Sequence, residues 1–411
     1  MAKILPFRPY RYSAIAGPLE QLVTQPYDKI TPEMQKRYLA LNPHNLVRLI
    51  LGERYGTDDE TRNVYRRAAH DLIDWIFCGV LVKEDEPSLF AYFQEFQVPD
   101  SSERLVRKGF IGLGELQPYS AGIVHPHERT LSGPKKDRME LLRHTRAHFG
   151  QIFMLYSDAE QAVDRILDKV SSGAPLARVN DEYGATHTLW KISDPATIAQ
   201  IQELMSDKKL LIADGHHRYE TALAFRDLSD PSEDAKSVMM TFVNMHSPGL
   251  RILATHRVLS GLENFDRSAL LQKIATKFVG SLEELKRIFA SPAPDQVRIG
   301  IVLPGPEIRI YEADRKAGDL DVRVLHERLL ADALGISEEA VREEKYIHYV
   351  RGLDAAFAEV NDGKAQVAFL LEPTTIQQVS DVAFSGGVMP QKSTDFYPKL
   401  LSGLTIYRLE N

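Results

Sequence analysis

The sequence predicts an α/β chain with a mixed, α+β-type sheet, and three observations carry that prediction. Strand-length apolar runs ("QIFMLYS", "THTLWKI", "KLLIA") alternate with amphipathic, helix-length runs ("PATIAQIQELM", "HRYETALAFRDL"). "SLFAYFQEFQV" and "RKGFIGLGEL" flank the polar link "PDSSERL", which reads as an antiparallel pair of strands. The 411 residues exceed one comfortable core, so two domains are expected, 1–260 and a smaller α/β domain over 261–411.

The elements follow in order. Pro6, Pro9, Pro18 and Pro26 keep residues 1–30 extended. Thr31 as N-cap and Pro32 at the first helical position start a helix in "TPEMQKRYLALN". "DDETRNVYRRAAHDLIDWIFCGVL" repeats apolar residues at Val64, Ala68, Leu72 and Trp75 and stops at Gly79, with Cys78 expected to be buried. After the strand at 151–157 comes a helix from about 158 to 172, then the alternation already quoted, then "SVMMTFVNM" and "LRILATHRVL" as two further strands. Beyond 260, "DRSALLQKIATKF" reads as helix and "QVRIGIVLP" and "EIRIYEA" as strands, and "VRVLHERLLADALG" is a helix closed by Gly335. Strand "KYIHYV", helix "LDAAFAEVN", strand "AQVAFLLE" and helix "TIQQVSDVAFS" complete a second α/β layer.

Composition narrows the class of function. Hydrophobic content of 44% and charged content of 26% are ordinary for a globular protein. A net charge of -7 offers no general attraction to nucleic acid or an anionic membrane. The single cysteine excludes an internal disulfide and fits a reducing, cytoplasmic setting. "MAKILPFRPYRY" lacks the apolar run of a secretory leader, and no stretch is long and apolar enough to span a membrane.

Three polar clusters interrupt this pattern. In "LLIADGHHRYETALAF" an apolar strand gives way at Asp214 and Gly215 to His216, His217, Arg218 and Tyr219 at the start of a helix. Free N–H groups and the positive dipole end make such a turn an anion site. Gly215 permits close approach to a phosphate, Arg218 can donate a bidentate fork, and Asp214 can cap the helix or hold a cation. A capped helix with solvated polar residues is the plainer alternative.

The second cluster is "HPHERT", with His125, His127, Glu128, Arg129 and Thr130. His-x-His on extended backbone places both rings on one face, as a metal or phosphate requires, and Glu128 beside them can act as a general base. Lys135, Lys136, Asp137 and Arg138 open the next helix, where cations oppose the dipole unless an anion shares the site. The third cluster, "MPQKSTDFYPK", offers Lys392, Ser393, Thr394 and Lys399 without the glycines of a P-loop. Polar surface loops remain the alternative for both clusters. The chain also has no G-x-G-x-x-G, G-x-S-x-G, HExxH or CxxC motif.

Together, "QPYDKI", "HPHERT", "IADGHHRYETA", "THRVL" and "MPQKSTDFYPK" resemble a large bacterial family defined as a domain of unknown function, across essentially the whole chain. The Asp-Gly-His-His-Arg turn also resembles the phosphate-binding turn of the ParB/sulfiredoxin-like fold, over about residues 1–250. That fold includes chromosome-partition CTPases, sulfiredoxin and ADP-dependent free-serine kinases. The resemblance implies a ParB-like nucleotide-binding first domain, with Asp214 to Arg218 holding nucleotide phosphates and Glu128 in the role of base.

These readings lead to a cytoplasmic phosphotransferase or nucleotide hydrolase acting on a small hydroxylated metabolite. Glu128, His127, His216, His217 and Arg218 are the expected catalytic residues. Asp214, Gly215, Arg218, Tyr219, Arg138, Lys392, Ser393, Thr394 and Lys399 are the expected contacts to ATP or ADP. Asp214, Asp137 and His127 are the expected Mg2+ ligands. A metal-dependent hydrolase using His125, His127, His216 and Asp214 is the main alternative. A nucleotide-switched nucleic-acid module is the second, disfavoured by the -7 charge. Homodimerisation is left open.

Overall fold

In the computed structural model, which describes residues 2–130, 132–228, 232–305, 307–316 and 318–410, nine strands form one sheet. They are β1 (Ile4–Leu5), β2 (Leu89–Gln97), β3 (Arg104–Glu115), β4 (Val124–His125), β5 (Ile152–Tyr156), β6 (Ala177–Asn180), β7 (Thr186–Ile192), β8 (Leu210–Asp214) and β9 (Ser237–Asn244). The order is β4-β8-β5-β9-β3-β2-β7-β6, with β1 beside β3. β8 runs parallel to β4 and β9 parallel to β5, while β8 against β5 and β9 against β3 are antiparallel. The sheet is therefore mixed, as expected. Every residue of β5 and β9 is buried, which explains why these strands read as mostly apolar runs rather than alternating ones.

The longer helices of this region are α1 (Pro32–Leu41), α2 (Val64–Phe77), α3 (Ser132–Thr145), α4 (Ala162–Ser171), α5 (Pro195–Met205) and α6 (His216–Arg226). Thr31 caps α1 by accepting from the Met34 N–H at 3.2 Å. α2 begins at Val64, later than its sequence pattern, because Asp59 turns back onto the N–H groups of Thr61 and Arg62 and Asn63 takes the cap. Its buried residues are Val64, Ala68, Leu72 and Trp75. Cys78 is exposed, contrary to expectation: it is the C-cap, off the apolar stripe, and Gly79 at φ 73 turns the chain away. Val163, Leu167, Ile198, Ile201, Met205, Tyr219 and Ala222 pack α4, α5 and α6 onto the sheet.

The chain divides into two compact units, of residues 1–126, 130–250 and 398–411, and of 127–129 and 251–397. The change comes at 250 rather than 260, and the last residues rejoin the first unit. Tyr407–Arg408 pairs with Ala147–His148, and Ser402 exchanges backbone hydrogen bonds with Thr24.

The second unit carries β10 (Thr255–Leu259), β11 (Thr276–Val279), β12 (Gln296–Leu303), β13 (Glu307–Asp314), β14 (Ile347–Arg351) and β15 (Val367–Leu371) in the order β11-β13-β12-β15-β10-β14. All its neighbouring strands are antiparallel. "LRILATHRVL" is two strands, not one: Arg251–Leu253 pairs with Asp395–Tyr397, and Thr255–Leu259 enters the six-stranded sheet. The helix expected over 266–278 ends at Lys273, after which Thr276–Val279 is strand. No helix among the described residues is long and apolar enough to cross a membrane.

Candidate functional site

The turn at the end of β8 is shaped by one glycine. Gly215 has φ +97 and forms the N-cap of α6 in the left-handed region, so no side chain caps the helix. Of its two expected roles, helix cap or cation partner, Asp214 therefore does not fill the first. It ends the strand, where its carboxylate accepts from Arg218 Nη2 at 2.6 Å and lies 3.5 Å from Lys399 Nζ. The Arg218 fork is likewise turned inward, since Nη1 donates to the Gln151 carbonyl. A Cβ at Gly215 would stand 3.0 Å from Arg218 Nη2, and one at Gly150 would stand 3.1 Å from Nη1. Two glycines thus make room for one guanidinium, which braces the turn instead of reaching outward to a phosphate.

Several cations act on the turn. Burial works to raise the Asp214 carboxyl, but Lys399, Arg218, Lys29 and His216 hold it well below the usual carboxylate range. Lys29 also lies 3.9 Å from Asp28. Lys29, Arg218 and Lys399 thus all act on the one Asp214 carboxylate. The positive end of the α6 dipole lies at the same turn.

Lys399 is presented by a clamped backbone. Its carbonyl accepts from Gln94 Nε2 at 2.8 Å, and the Pro398 carbonyl accepts from Arg107. The Leu401 N–H donates to Tyr92 Oη at 3.3 Å. Gln94 lies opposite Arg107 on one side and His187 on the other, so three adjacent strands place polar side chains at one level. Behind them the His187 ring lies 2.7 Å from Tyr92 Oη and 3.2 Å from Asp181. Burial lowers the His187 pKa against the pull of Asp181.

Beside the turn lies a cavity of about 60 Å3. Tyr27, Arg138, His148, Arg218, Thr221 and Ser402 line its polar part, and residues such as Ile50, Leu141 and Phe149 the rest. Arg138 stacks over the Tyr27 ring at 4.1 Å from its centroid. Burial pushes the Tyr27 phenol up to about 12.

His216 is buried and His217 half-buried in the first turn of α6. Tyr219, expected at a cofactor, is instead a core residue. It is fully buried, its hydroxyl donates to the Gln117 carbonyl at 2.8 Å and accepts from the Gln117 N–H at 3.0 Å, and its ring stacks on Tyr119. Arg138 touches the cavity, but its guanidinium is held by Asp137 and the Ile50 carbonyl. Asp137 also accepts from Arg54 at 2.6 Å and from Tyr65 at 2.7 Å. Lys135 pairs with Glu220 at 3.0 Å.

His127, Glu128, Lys392, Ser393 and Thr394 belong to the second unit, where residues 127–129 and the "MPQKST" segment meet. Glu128 forms a parallel bridge with Met389, and the His127 ring lies 2.8 Å from Thr394 Oγ1. Arg257 donates to the Lys392 carbonyl at 3.0 Å, and Ser393 donates to the Pro390 carbonyl at 2.6 Å. His125 stays in the first unit, 3.1 Å from the Gly122 carbonyl, and the chain passes to the second unit after Pro126. Among the described residues no group of three or more His, Cys, Asp or Glu is placed to hold a metal. That finding covers both the Asp214, Asp137 and His127 set and the set with His125 and His216. A Mg2+ ion here would take most of its oxygens from phosphate and water.

Sequence reasoning missed Gly150, Gln151, Lys29, Thr221, Ser402 and the clamp. Lys29 lies in the flagged "QPYDKI" motif, and Gln94 and Arg107 are polar breaks in otherwise apolar strands; both signals were available.

The chain belongs to the family described as "Protein of unknown function (DUF1015)", whose model matches residues 4–355. No curated protein matches it. Among solved structures it is similar to a conserved hypothetical protein from Pyrococcus furiosus, with 12% identity, 71% of this chain and 93% of that chain covered, and a TM-score of 0.38. It is similar also to a free serine kinase in complex with AMP, with 12% identity, 71% and 91% covered and a TM-score of 0.38. A third is SbnI with C-terminal truncation from Staphylococcus aureus, with 11% identity, 71% and 85% covered and a TM-score of 0.36. TM-scores below 0.5 assign neither reaction nor ligand.

Proposed function

We propose that in this DUF1015 chain the Asp214–Arg218 turn binds the phosphates of a nucleotide, ATP or ADP, and that the protein is a small-molecule phosphotransferase or nucleotide phosphohydrolase. One observation carries the reading: a helix of eleven residues starts at a glycine with φ +97, without a side-chain cap, at a carboxylate on which Lys399, Arg218, Lys29 and His216 act. Phosphoryl transfer asks a protein chiefly for positioning and charge neutralisation. The first-turn N–H groups of α6 supply the former, and Lys399 and Lys29 the latter. Arg218 and Asp214 hold the shape of the turn. Glu128, the base implied by resemblance, is carried by the second unit, and the reading of the turn stands without it.

Thermal melting with ATP, ADP, CTP and GTP, each with Mg2+, tests the proposal. Free ligand at about 100 times its Kd adds about 2.7 kcal/mol, a visible shift. At least one nucleotide is expected to raise the Tm of the native chain and to lose that effect in Lys399→Ala. If none of the four shifts the melt, the phosphate-binding reading fails.

A further inference from the structure

The buried side chains that clamp the backbone at Lys399 form one hydrogen-bonded chain with a single direction. Arg107, Gln94, Tyr92 and His187 are each at most 2% exposed, so a mismatched donor or acceptor among them would cost stability. Arg107 can only donate, and its Nε reaches Gln94 Oε1 at 3.0 Å. That contact orients the Gln94 amide: its Nε2 faces the Lys399 carbonyl at 2.8 Å and His187 Nδ1 at 3.3 Å. A flipped amide would set N–H against guanidinium and oxygen against carbonyl.

The same reasoning fixes the His187 tautomer. Its Nε2 lies 3.2 Å from the Asp181 carboxylate, which also accepts from the Tyr183 and Ala185 N–H groups at 2.9 Å each. Burial opposes ionisation of Asp181, but His187 and these N–H groups hold its pKa below the ordinary value. An ionised carboxylate only accepts, so Nε2 carries the proton and Nδ1 is left as an acceptor. Nδ1 receives the Tyr92 O–H at 2.7 Å as well as the Gln94 N–H. Tyr92 Oη in turn accepts from the Leu401 N–H at 3.3 Å. Two grips on the backbone of residues 399–401 thus converge on one unprotonated nitrogen.

We propose that Gln94 is the positioning residue for Lys399 at the phosphate turn, and that the unprotonated Nδ1 of His187 holds Gln94 in place. The proposal rests on the reading of the turn as a phosphate site. A second proton on His187 would occupy Nδ1 and face the hydrogens of both Gln94 and Tyr92. Asp181 and Glu182, from the turn after β6, Tyr92 on β2 and Arg107 on β3 are the titratable groups around the ring. Burial, opposed by Asp181, then aided by Arg107 and opposed by Glu182, leaves the His187 pKa below its ordinary value. Burial keeps the Tyr92 phenol neutral. The grip on Lys399 therefore loosens only on acidification.

Sulfate keeps its charge in mild acid and serves as the probe. Its Kd for the full chain is measured by calorimetry from about pH 8 to about pH 5. Imidazoles gain charge in acid, so His216 and His217 at the turn would by charge alone tighten sulfate as pH falls. The expected result is the opposite: sulfate weakens about tenfold, equivalent to losing one charge-assisted hydrogen bond. Gln94→Met removes the amide and should weaken sulfate about tenfold at neutral pH, with no further loss in acid. His187→Asn sets a non-titrating oxygen near the place of Nδ1 and should lose the acid-side weakening. Nitrogen NMR of the native chain should show neutral His187 protonated at Nε2, a readout independent of whether either variant folds. Native affinity that is level or rises in acid, undiminished affinity in Gln94→Met, or a neutral His187 protonated at Nδ1 overturns the proposal. If sulfate binding weakens in Lys399→Ala yet ignores Gln94 and pH, the proposal falls and the turn stands. If sulfate does not bind, or binds Lys399→Ala equally well, the phosphate reading falls and takes the positioning role with it.

Discussion

Replacing Asp214 by Asn keeps the size and one acceptor of the side chain but deletes the charge that Arg218 and Lys399 face. The side chains of Asp214, Arg218 and Lys399 are 22%, 14% and 9% exposed. Breaking a fully buried pair costs about 3–5 kcal/mol, and an exposed pair contributes about 0–1. These exposures lie nearer the buried limit, and the solvent that still reaches Asp214 screens part of the effect, so about 2–3 kcal/mol is expected. At roughly 2–4 °C per kcal/mol for a unit of this order of size, the Tm should fall by about 4–12 °C. The pH dependence gives a second handle. The folded-state pKa of Asp214 is depressed, so its stabilising effect is fully present above the unfolded value of about 3.9 and is lost as pH falls through the lower folded value. The difference between the native chain and D214N, measured by calorimetry at pH 7, 5 and 3, should be constant between 7 and 5 and begin to shrink only by 3. A variant within 1 °C of the native chain, or a difference that decays between pH 7 and 5, refutes the reasoning.

Four further outcomes are expected. Gly215→Ala forces an L-residue into φ +97, with its Cβ 3.0 Å from Arg218, and should cost about 1–2 kcal/mol in urea unfolding and abolish any nucleotide shift. Gly249→Ala would place a Cβ 2.1 Å from the Val106 carbonyl oxygen, a backbone clash expected to cost about 3 kcal/mol or more and to read out as a lowered urea midpoint. Thr31→Ala removes the α1 cap and should cost about 1 kcal/mol, a small midpoint shift with an unchanged m-value. His256 is 2% exposed, and burial, then Arg257, lowers its pKa to about 4, while its Nδ1 accepts from the Leu371 N–H. Its contribution is present above the unfolded value of about 6.5 and is lost as pH falls toward 4, by about 3 kcal/mol at most. Hydrogen exchange in β10 and β15 should show that slope in the native chain and a flatter one in His256→Gln.

Local pattern made much of the fold legible. The strands at 152–156 and 237–244 and the stripe of Val64, Ala68, Leu72 and Trp75 announce themselves, because burial of a whole strand or one helix face is written as periodicity. Where one run serves two structures, periodicity fails. "LRILATHRVL" has no glycine or proline between its halves, and only the separate pairing partners of 251–253 and 255–259 divide it. The turn at Gly215 was legible because strand, glycine and helix follow one another in sequence. Its electrostatics were not: Lys399 reaches Asp214 from 185 residues away and Gln151 reaches Arg218 from 67, and such partners leave no periodic trace. The direction of the Arg218 fork was invisible for the same reason, since the two glycines whose missing Cβ atoms admit it, Gly150 and Gly215, lie far apart in sequence.

The return of residues 398–410 to the first unit bears on how the protein is made. A ribosome that has released residues 1–250 has supplied the whole of β8 and α6 but not Lys399, nor the strand that lies against Ala147–His148. Some 147 intervening residues, 251–397, must emerge first. During that interval the nascent chain holds Asp214 with one cation fewer and an open sheet margin at 147–148. Ribosome-stalled chains ending before and after position 410 should therefore differ in protease sensitivity within the first unit.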